Sequence, residues 1–235
     1  MSRGLGDVYK RQVIDFIKKH ILLFLLVAVT IIAIFLRVCG MDFQSDDFNS
    51  FLNSWWSIIK LNDFTGLATQ VGNYNIPYQV IIYLMTLLPL NALYAYKIVS
   101  IIFDFVLAIS TAMLVYSFAK NNRRLKAILT YSAVLLSATV IFNSSFWAQC
   151  DSIYTSFIIL AILFLHKDKP IASFVFIGIA FAFKLQTVFI IPVLLYYWIS
   201  TKKISILHFF IIPALDVIMC LPAIIMGRPL SLIHI

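Results

Sequence analysis

The sequence predicts an all-α protein that crosses a membrane several times. Of its 235 residues, 62% are hydrophobic and only 12% are charged, and the mean hydropathy is +0.98. Apolar stretches recur along nearly the whole chain, which excludes an ordinary soluble domain and is typical of polytopic helical membrane proteins. The formal charge of +8 does not indicate nucleic acid as a partner, because no basic domain interleaved with aromatic residues carries it. Membrane lipid is the expected surrounding.

Seven segments are predicted to cross the membrane. They are residues 21–38, 94–119, 127–147, 152–166, 171–183, 185–200 and 204–226. An eighth apolar segment, residues 76–90, contains Pro77 and Pro89 and is shorter than the ~20 residues that a span needs. We predict that this segment lies half buried against the bundle without crossing.

Charge favours this topology and sets its orientation. If residues 76–90 do not cross, most lysines and arginines outside the chain ends fall on one side, which the positive-inside rule makes the cytoplasm. We therefore predict a multi-pass protein of the bacterial cytoplasmic membrane, with a cytoplasmic N-terminus. Residues 40–93 then form a large first outer loop.

Both chain ends read as foreign sequence. The opening MSRGLGDVYKRQ and the closing LSLIHI resemble translated sequencing adapters. We therefore expect residues 1–12 and 230–235 to be artefacts, and residues 13–229 to be one transmembrane domain that is truncated at its C-terminus.

The first outer loop opens with two adjacent carboxylates, in the sequence Ser45-Asp46-Asp47-Phe48. Ser45 is a suitable N-cap, and it is followed by apolar residues at helical spacing, which predicts a short amphipathic helix in the membrane interface. The apolar residues are Phe48, Phe51, Leu52, Trp55 and Ile59, with Trp56 beside them. Asp46 and Asp47 could serve only the dipole of this helix, but ionisable groups at membrane depth are usually functional.

Other polar residues are predicted on the same outer side. They are Tyr74 with its neighbouring asparagines, then Trp147, Gln149 and Asp151, and finally Lys184 and Gln186. A cavity with carboxylates at its mouth and a deeper cation suits a substrate with a phosphate and a lipid tail. Lys97 and Arg37 could instead snorkel to lipid headgroups, although Arg37 could also bind phosphate. Asp104, in the middle of a span, reads more readily as a buried structural acid than as a site.

The order of these motifs resembles the GT-C superfamily of membrane glycosyltransferases, in particular bacterial relatives of the GPI-anchor mannosyltransferases. The resemblance covers residues 37–199. It rests on the acid pair, Tyr74-Asn75-Ile76-Pro77, Lys97 with Asp104, FWAQCDS at 146–152 and AFKLQ at 182–186.

The resemblance implies a sugar transferase with an aspartate base in the first outer loop. Asp47 matches that base, while Asp46 and Ala148 stand where relatives carry glycine. The donor would be a polyprenyl-phosphate sugar, commonly of mannose or another hexose, and the acceptor a glycan, a lipid or a protein. Lys184 and Arg37 would stabilise the lipid phosphate, with the other substrate contacts made by Tyr74, Trp147, Gln149, Asp151 and Gln186. The superfamily has members with and without a divalent metal, so no cofactor is certain.

Two other classes of protein are compatible with the sequence. A transporter or lipid flippase would also have many apolar helices and an acid such as Asp104 within a span. Against it, the chain has no evident internal repeat, and its acids cluster in one outer loop. A non-catalytic assembly subunit is the third reading, and it would tolerate the loss of both acids.

Overall fold

The computed structural model describes residues 3–228, without the side chains of residues 3–8, 11, 13 and 14. The predicted artefact at 230–235 and the first two residues of the chain lie outside this range. Within it the protein is all-helical and has no strand, as predicted. The helices are α1 (Arg3–Val38), α2 (Asn53–Asn62), α3 (Ile76–Thr86), α4 (Ala92–Phe118), α5 (Arg123–Leu135), α6 (Ala138–Ile141), α7 (Asp151–His166), α8 (Pro170–Phe183), α9 (Ile191–Thr201) and α10 (Ile211–Ile225).

Three stretches within residues 3–228 are long and apolar enough to cross a membrane. They are Asp15–Val38, Ala92–Phe118 and Ile206–Ile225. A fourth would be formed by α5 with the segment Ala138–Phe146, if the two together count as one bent span. The remaining apolar helices are shorter than a bilayer is thick. The protein thus has the composition of a membrane protein, and the number of seven spans stays a prediction.

The predicted span at 127–147 is not one continuous helix. The chain bends by 51° after α5, because Leu136 and Ser137 leave the helical conformation and Ser137 is extended. A wide π-helical turn, Phe142–Phe146, then follows α6. Such turns are often found at functional sites, and this one carries polar side chains towards the predicted outer side.

A short capped helix with one buried apolar face is present after the acid pair, as predicted. The backbone N–H of Phe48 donates to the Ser45 side chain at 3.1 Å, so Ser45 is the cap that the sequence predicts. A π-helical turn at Phe48–Leu52 leads into α2. Phe51 is the exception, since it is 52% exposed. Trp55 and Trp56 are buried against the rest of the chain, and the interfacial position of this helix stays a prediction.

Helix α3 is buried more deeply than the half-buried segment that we predicted. Most of its side chains are enclosed, including Tyr78 and Ile82, and it packs on α2, α4, α8 and α10. The loop before it depends on Gly72, which has a φ of +72° and lies against the indole of Trp55. Any Cβ at position 72 would overlap that ring, so only glycine fits both the backbone angle and the space.

We expected Lys97 to snorkel to the lipid headgroups, but it turns into the protein instead. Its side chain is fully buried, and its ammonium group donates to the carbonyl oxygens of Gly40 at 2.7 Å, of Met41 at 3.0 Å and of Phe43. These carbonyls follow the end of α1, where the last backbone acceptors lack helical partners. Lys97 therefore holds the turn that leads from α1 into the acid pair.

Arg37 and Asp104 form a buried ion pair between α1 and α4. Arg37 Nε and Nη2 both lie 2.9 Å from Asp104 Oδ2, and the two side chains are 1% and 0% exposed. Ser144 donates to the same oxygen at 2.5 Å, and Ser152 donates to Oδ1 at 2.6 Å. Asp104 is thus the buried structural acid that we favoured. The predicted snorkelling of Arg37 is wrong, because Asp104 and two backbone carbonyls already bind its guanidinium.

Removing one member of this buried pair should destabilise the protein strongly. We expect Arg37→Gln to lower the free energy of unfolding by about 3–5 kcal/mol, because the Asp104 carboxylate is left buried without its cation. The double replacement of Arg37 by Met and Asp104 by Leu should recover much of that loss. Thermal unfolding in detergent, followed by tryptophan fluorescence, measures both changes.

The matched control is Lys203→Gln at the exposed pair that Lys203 forms with Asp168, 2.7 Å apart. This pair is solvent-screened, so its loss should shift the melting temperature far less. Equal shifts for Arg37→Gln and Lys203→Gln would contradict the structural role of the buried pair.

Candidate functional site

The predicted base Asp47 belongs to a chain of three hydrogen-bonded side chains. The Tyr74 hydroxyl donates to Gln149 Oε1 at 2.8 Å, and Gln149 Nε2 donates to Asp47 Oδ2, also at 2.8 Å. These bonds set the orientation of the Gln149 amide, which in turn holds one oxygen of the Asp47 carboxylate. The second oxygen, Oδ1, remains available to accept a proton.

A second charged group lies on the other side of Tyr74. The Lys184 ammonium is paired with Asp151 Oδ1, and Asn143 Nδ2 donates to Asp151 Oδ2 at 3.0 Å. Lys184 Nζ also lies 5.7 Å from the ring centroid of Tyr74 and 5.5 Å from that of Tyr154. Burial acts to lower the pKa of Lys184, but the contact with Asp151 outweighs it and the pKa is raised, so the group is a cation at neutral pH.

Two cavities meet at Tyr74. The larger one, of about 550 Å³, is lined by Lys184 and Gln186, and the smaller one, of about 210 Å³, by Asp47 and Gln149. Asn73 and Tyr74 line both. Asn75 also lines the larger cavity. One cavity thus offers a carboxylate and the other a cation with amide donors.

Gln149 is placed by an unusual turn of the backbone. Ala148 is fully buried and has a φ of +57°, a left-handed conformation that favours glycine. After this turn, the Gln149 N–H donates to the Asn143 carbonyl at 2.8 Å, which directs its side chain towards Asp47. The resemblance leads us to expect glycine at this position. The chain has alanine instead, in a left-handed conformation that glycine adopts more readily.

The aromatic and thiol groups around the site are neutral at physiological pH. Burial is the main cause that raises the pKa of Tyr74, with smaller contributions from Cys150 and Asp151. Burial also raises the pKa of Cys150 to about 12. Tyr74 therefore acts here as a hydrogen-bond donor, and Cys150, a free cysteine, is not a nucleophile.

Three of the predicted site residues are not part of this group. Arg37 is enclosed in its contacts with Asp104 and reaches neither cavity. Trp147 is 50% exposed with its ring near Phe142, and it lines neither cavity. Asp46 is exposed and also lies outside both, so the two adjacent acids differ in their surroundings.

The sequence analysis named Asn73 and Asn75 only as polar neighbours of Tyr74, without a role, and it missed Asn143. Asn143 begins the polar sequence Asn143-Ser144-Ser145 within an apolar run, which was a usable signal for a packed polar contact. Asn73 and Asn75 flank Tyr74, but their spacing does not show which of them faces a cavity. The turn around Gly72 decides how these two asparagines are placed.

The carboxylates do not form an evident metal centre. No group of three or more His, Cys, Asp or Glu side chains converges within the described part of the chain. Gln149 donates to Asp47, and Asp151 is paired with Lys184.

Comparisons with protein-family models, with curated proteins and with solved structures found no match for this chain.

The left-handed turn at Ala148 leads to a stability prediction. We expect Ala148→Gly to change the free energy of unfolding by less than about 1 kcal/mol, because relief of about 1–2 kcal/mol of backbone strain offsets a lost buried methyl group worth about 0.8 kcal/mol and the greater freedom of glycine in the unfolded chain. Ala148→Val should cost at least about 2 kcal/mol, because a β-branched residue fits neither the φ angle nor the packed space. Thermal unfolding of the two variants measures this difference, and equal losses would contradict it.

Proposed function

We propose that this protein is a membrane glycosyltransferase that moves a sugar, mannose or another hexose, from a polyprenyl-phosphate donor to an acceptor hydroxyl. The observation that carries the proposal is the pair of adjoining cavities, one with the Asp47 carboxylate and the other with the Lys184 cation, separated by Tyr74. A group-transfer enzyme needs a base for the acceptor and a stabilising cation for the leaving group on opposite sides of the reacting carbon. The motif resemblance supports the same activity.

The proposed reaction is a single displacement that inverts the anomeric carbon. Asp47 Oδ1 takes the proton of the acceptor hydroxyl as its oxygen bonds to that carbon. The bond from the carbon to the phosphate oxygen breaks, and its electron pair leaves with the polyprenyl phosphate. Lys184 stabilises the charge that develops on this phosphate, because an ammonium group has three hydrogens and Asp151 uses only one of them.

The other residues of the site position these two groups. Gln149 holds Asp47 Oδ2, so the free oxygen keeps one direction. Gln186 lines the larger cavity, where its side-chain amide would donate to an anionic phosphate. The acceptor, whether glycan, lipid or protein, would enter through the smaller cavity beside Asp47.

The geometry supports a transferase better than a transporter. The feature that favoured a transporter or flippase was an acid within a span, Asp104. That acid is fully buried, and its two oxygens already accept hydrogen bonds from Arg37 and two serines. It therefore offers no free acceptor for a transported ion or proton.

The test of this proposal compares the two adjacent acids. Asp47→Asn should lower sugar transfer by about 10²–10⁴-fold, because the amide cannot accept the proton. Asp46→Asn, the matched control, should retain activity within about threefold, since Asp46 lines neither cavity and a first-turn acid is worth at most about 1 kcal/mol. The assay reconstitutes the protein with labelled polyprenyl-phosphate mannose or glucose and a membrane extract as the source of acceptors, and it follows label leaving the donor fraction.

Two outcomes would contradict the proposal. Full transfer by the Asp47→Asn protein would exclude Asp47 as the base. Label that crosses the vesicle membrane while still attached to the lipid phosphate would indicate transport. Melting curves of all variants show whether a loss of transfer reflects unfolding.

A further inference from the structure

A separate cavity of about 590 Å³ lies between α1, α4 and α5, open to the surroundings. We call it the α1–α4–α5 cavity. Its lining includes Leu26 and Thr30 of α1, Tyr116 of α4 and Tyr131 of α5. Most of the lining side chains are apolar, and its two cations are Arg123, the first residue of α5, and Lys167, which directly follows α7.

This cavity is at the opposite end of α4 from the candidate functional site. Lys97 binds the turn before the acid pair, and Tyr116 lines the cavity, 19 residues further along the same helix. At 1.5 Å per residue, the two positions are about 28 Å apart. This is close to the ~30 Å thickness of the bilayer hydrocarbon core. The cavity and the Asp47 site are therefore separated along α4 by about the thickness of a bilayer core.

The inner part of the cavity suits a hydrocarbon chain. Two of its polar side chains, Thr30 and Tyr131, bind each other at 3.0 Å, and a third, Ser117, donates to the Leu114 carbonyl at 2.7 Å. Thr30 also donates to the Leu26 carbonyl at 2.8 Å, so the tyrosine hydroxyl is the donor of the shared bond. All three groups are satisfied within the protein, and an apolar ligand beside them would leave none of them without a partner.

The mouth of the cavity is cationic. The Arg123 guanidinium lies 4.3 Å from the ring centroid of Tyr116, and its Nε donates to the Tyr116 carbonyl at 2.9 Å, which holds the side chain at the rim. Lys167 lines the same rim. Neither cation forms an ion pair with an acid within residues 3–228. Both charges are therefore available to an anion at the membrane surface.

We infer that the α1–α4–α5 cavity binds one anionic glycerophospholipid, with an acyl chain between the helices and the phosphate against Arg123 and Lys167. Charge complementarity selects this ligand over a neutral lipid, since basic rims between transmembrane helices attract anionic headgroups. The inference does not depend on the proposed transferase activity, because the two sites share no residue.

The test measures lipid binding to the delipidated protein in detergent by native mass spectrometry, with phosphatidylglycerol and phosphatidylcholine as probes. We expect phosphatidylglycerol to bind more tightly. The double variant R123Q and K167Q should weaken it by roughly 30-fold, about fivefold for each cation near the membrane surface. Binding of phosphatidylcholine should change little.

The matched control is the double variant R124Q and K202Q. It removes the same charge from two exposed residues that do not line the cavity. It should keep phosphatidylglycerol binding within about threefold, since screened surface charges contribute little. Equal losses in the two double variants, or equal affinity of the native protein for both lipids, would overturn the inference.

A third variant tests the acyl-chain part of the site. Ala127→Phe should fill the cavity and reduce the binding of both lipids, with a melting curve to show that it folds. Unchanged phosphatidylglycerol binding in a folded Ala127→Phe protein would overturn the inference, because the phosphate would then bind without the cavity.

Discussion

The buried carboxylate of Asp104 is the interaction on which the rest of the fold depends. It receives hydrogen bonds from Arg37 of α1, Ser144 of the π-helical turn and Ser152 of α7, while it is itself part of α4. Four separate segments thus meet at one anion. In a low-dielectric interior an unpaired charge is very costly, so the segments are held together in one arrangement.

The candidate functional site is built directly beside this buried group. Ser152 follows Asp151, and Ser144 follows Asn143, whose backbone carbonyl and side chain contact Gln149 and Asp151. On the other side, Lys97 holds the turn after α1 that leads to Asp47. The side chains of the site are therefore supported by rigid helix ends, although the residues themselves lie in loops and turns, where such groups are commonly placed.

The polar groups of the molecule are separated along the helix axes. One end has the Asp47 and Lys184 groups with amide donors around them, and the other has the cationic rim of the α1–α4–α5 cavity. Between them lie apolar helices whose only buried ion pair within residues 3–228 is that of Arg37 with Asp104. This division suits a protein with a polar substrate at one membrane surface and lipid contacts at the other.

Hydropathy alone predicted an all-helical chain with helices apolar enough to cross a membrane, because long apolar segments are typical of membrane-spanning helices whether they face lipid or the protein interior. Ser45 could be predicted as a cap because capping is local. Only the tertiary structure shows which groups the charged end of a long side chain contacts, because local sequence patterns do not contain that information. Arg37 and Lys97 carry the same charge near predicted membrane edges, yet both turn inward, because Asp104 and the carbonyls after α1 are close only in the folded chain. The motif resemblance pointed to Asp47 rather than Asp46, but only the fold shows a physical difference between them. Gln149 donates to Asp47, and it is brought there by the left-handed turn at Ala148.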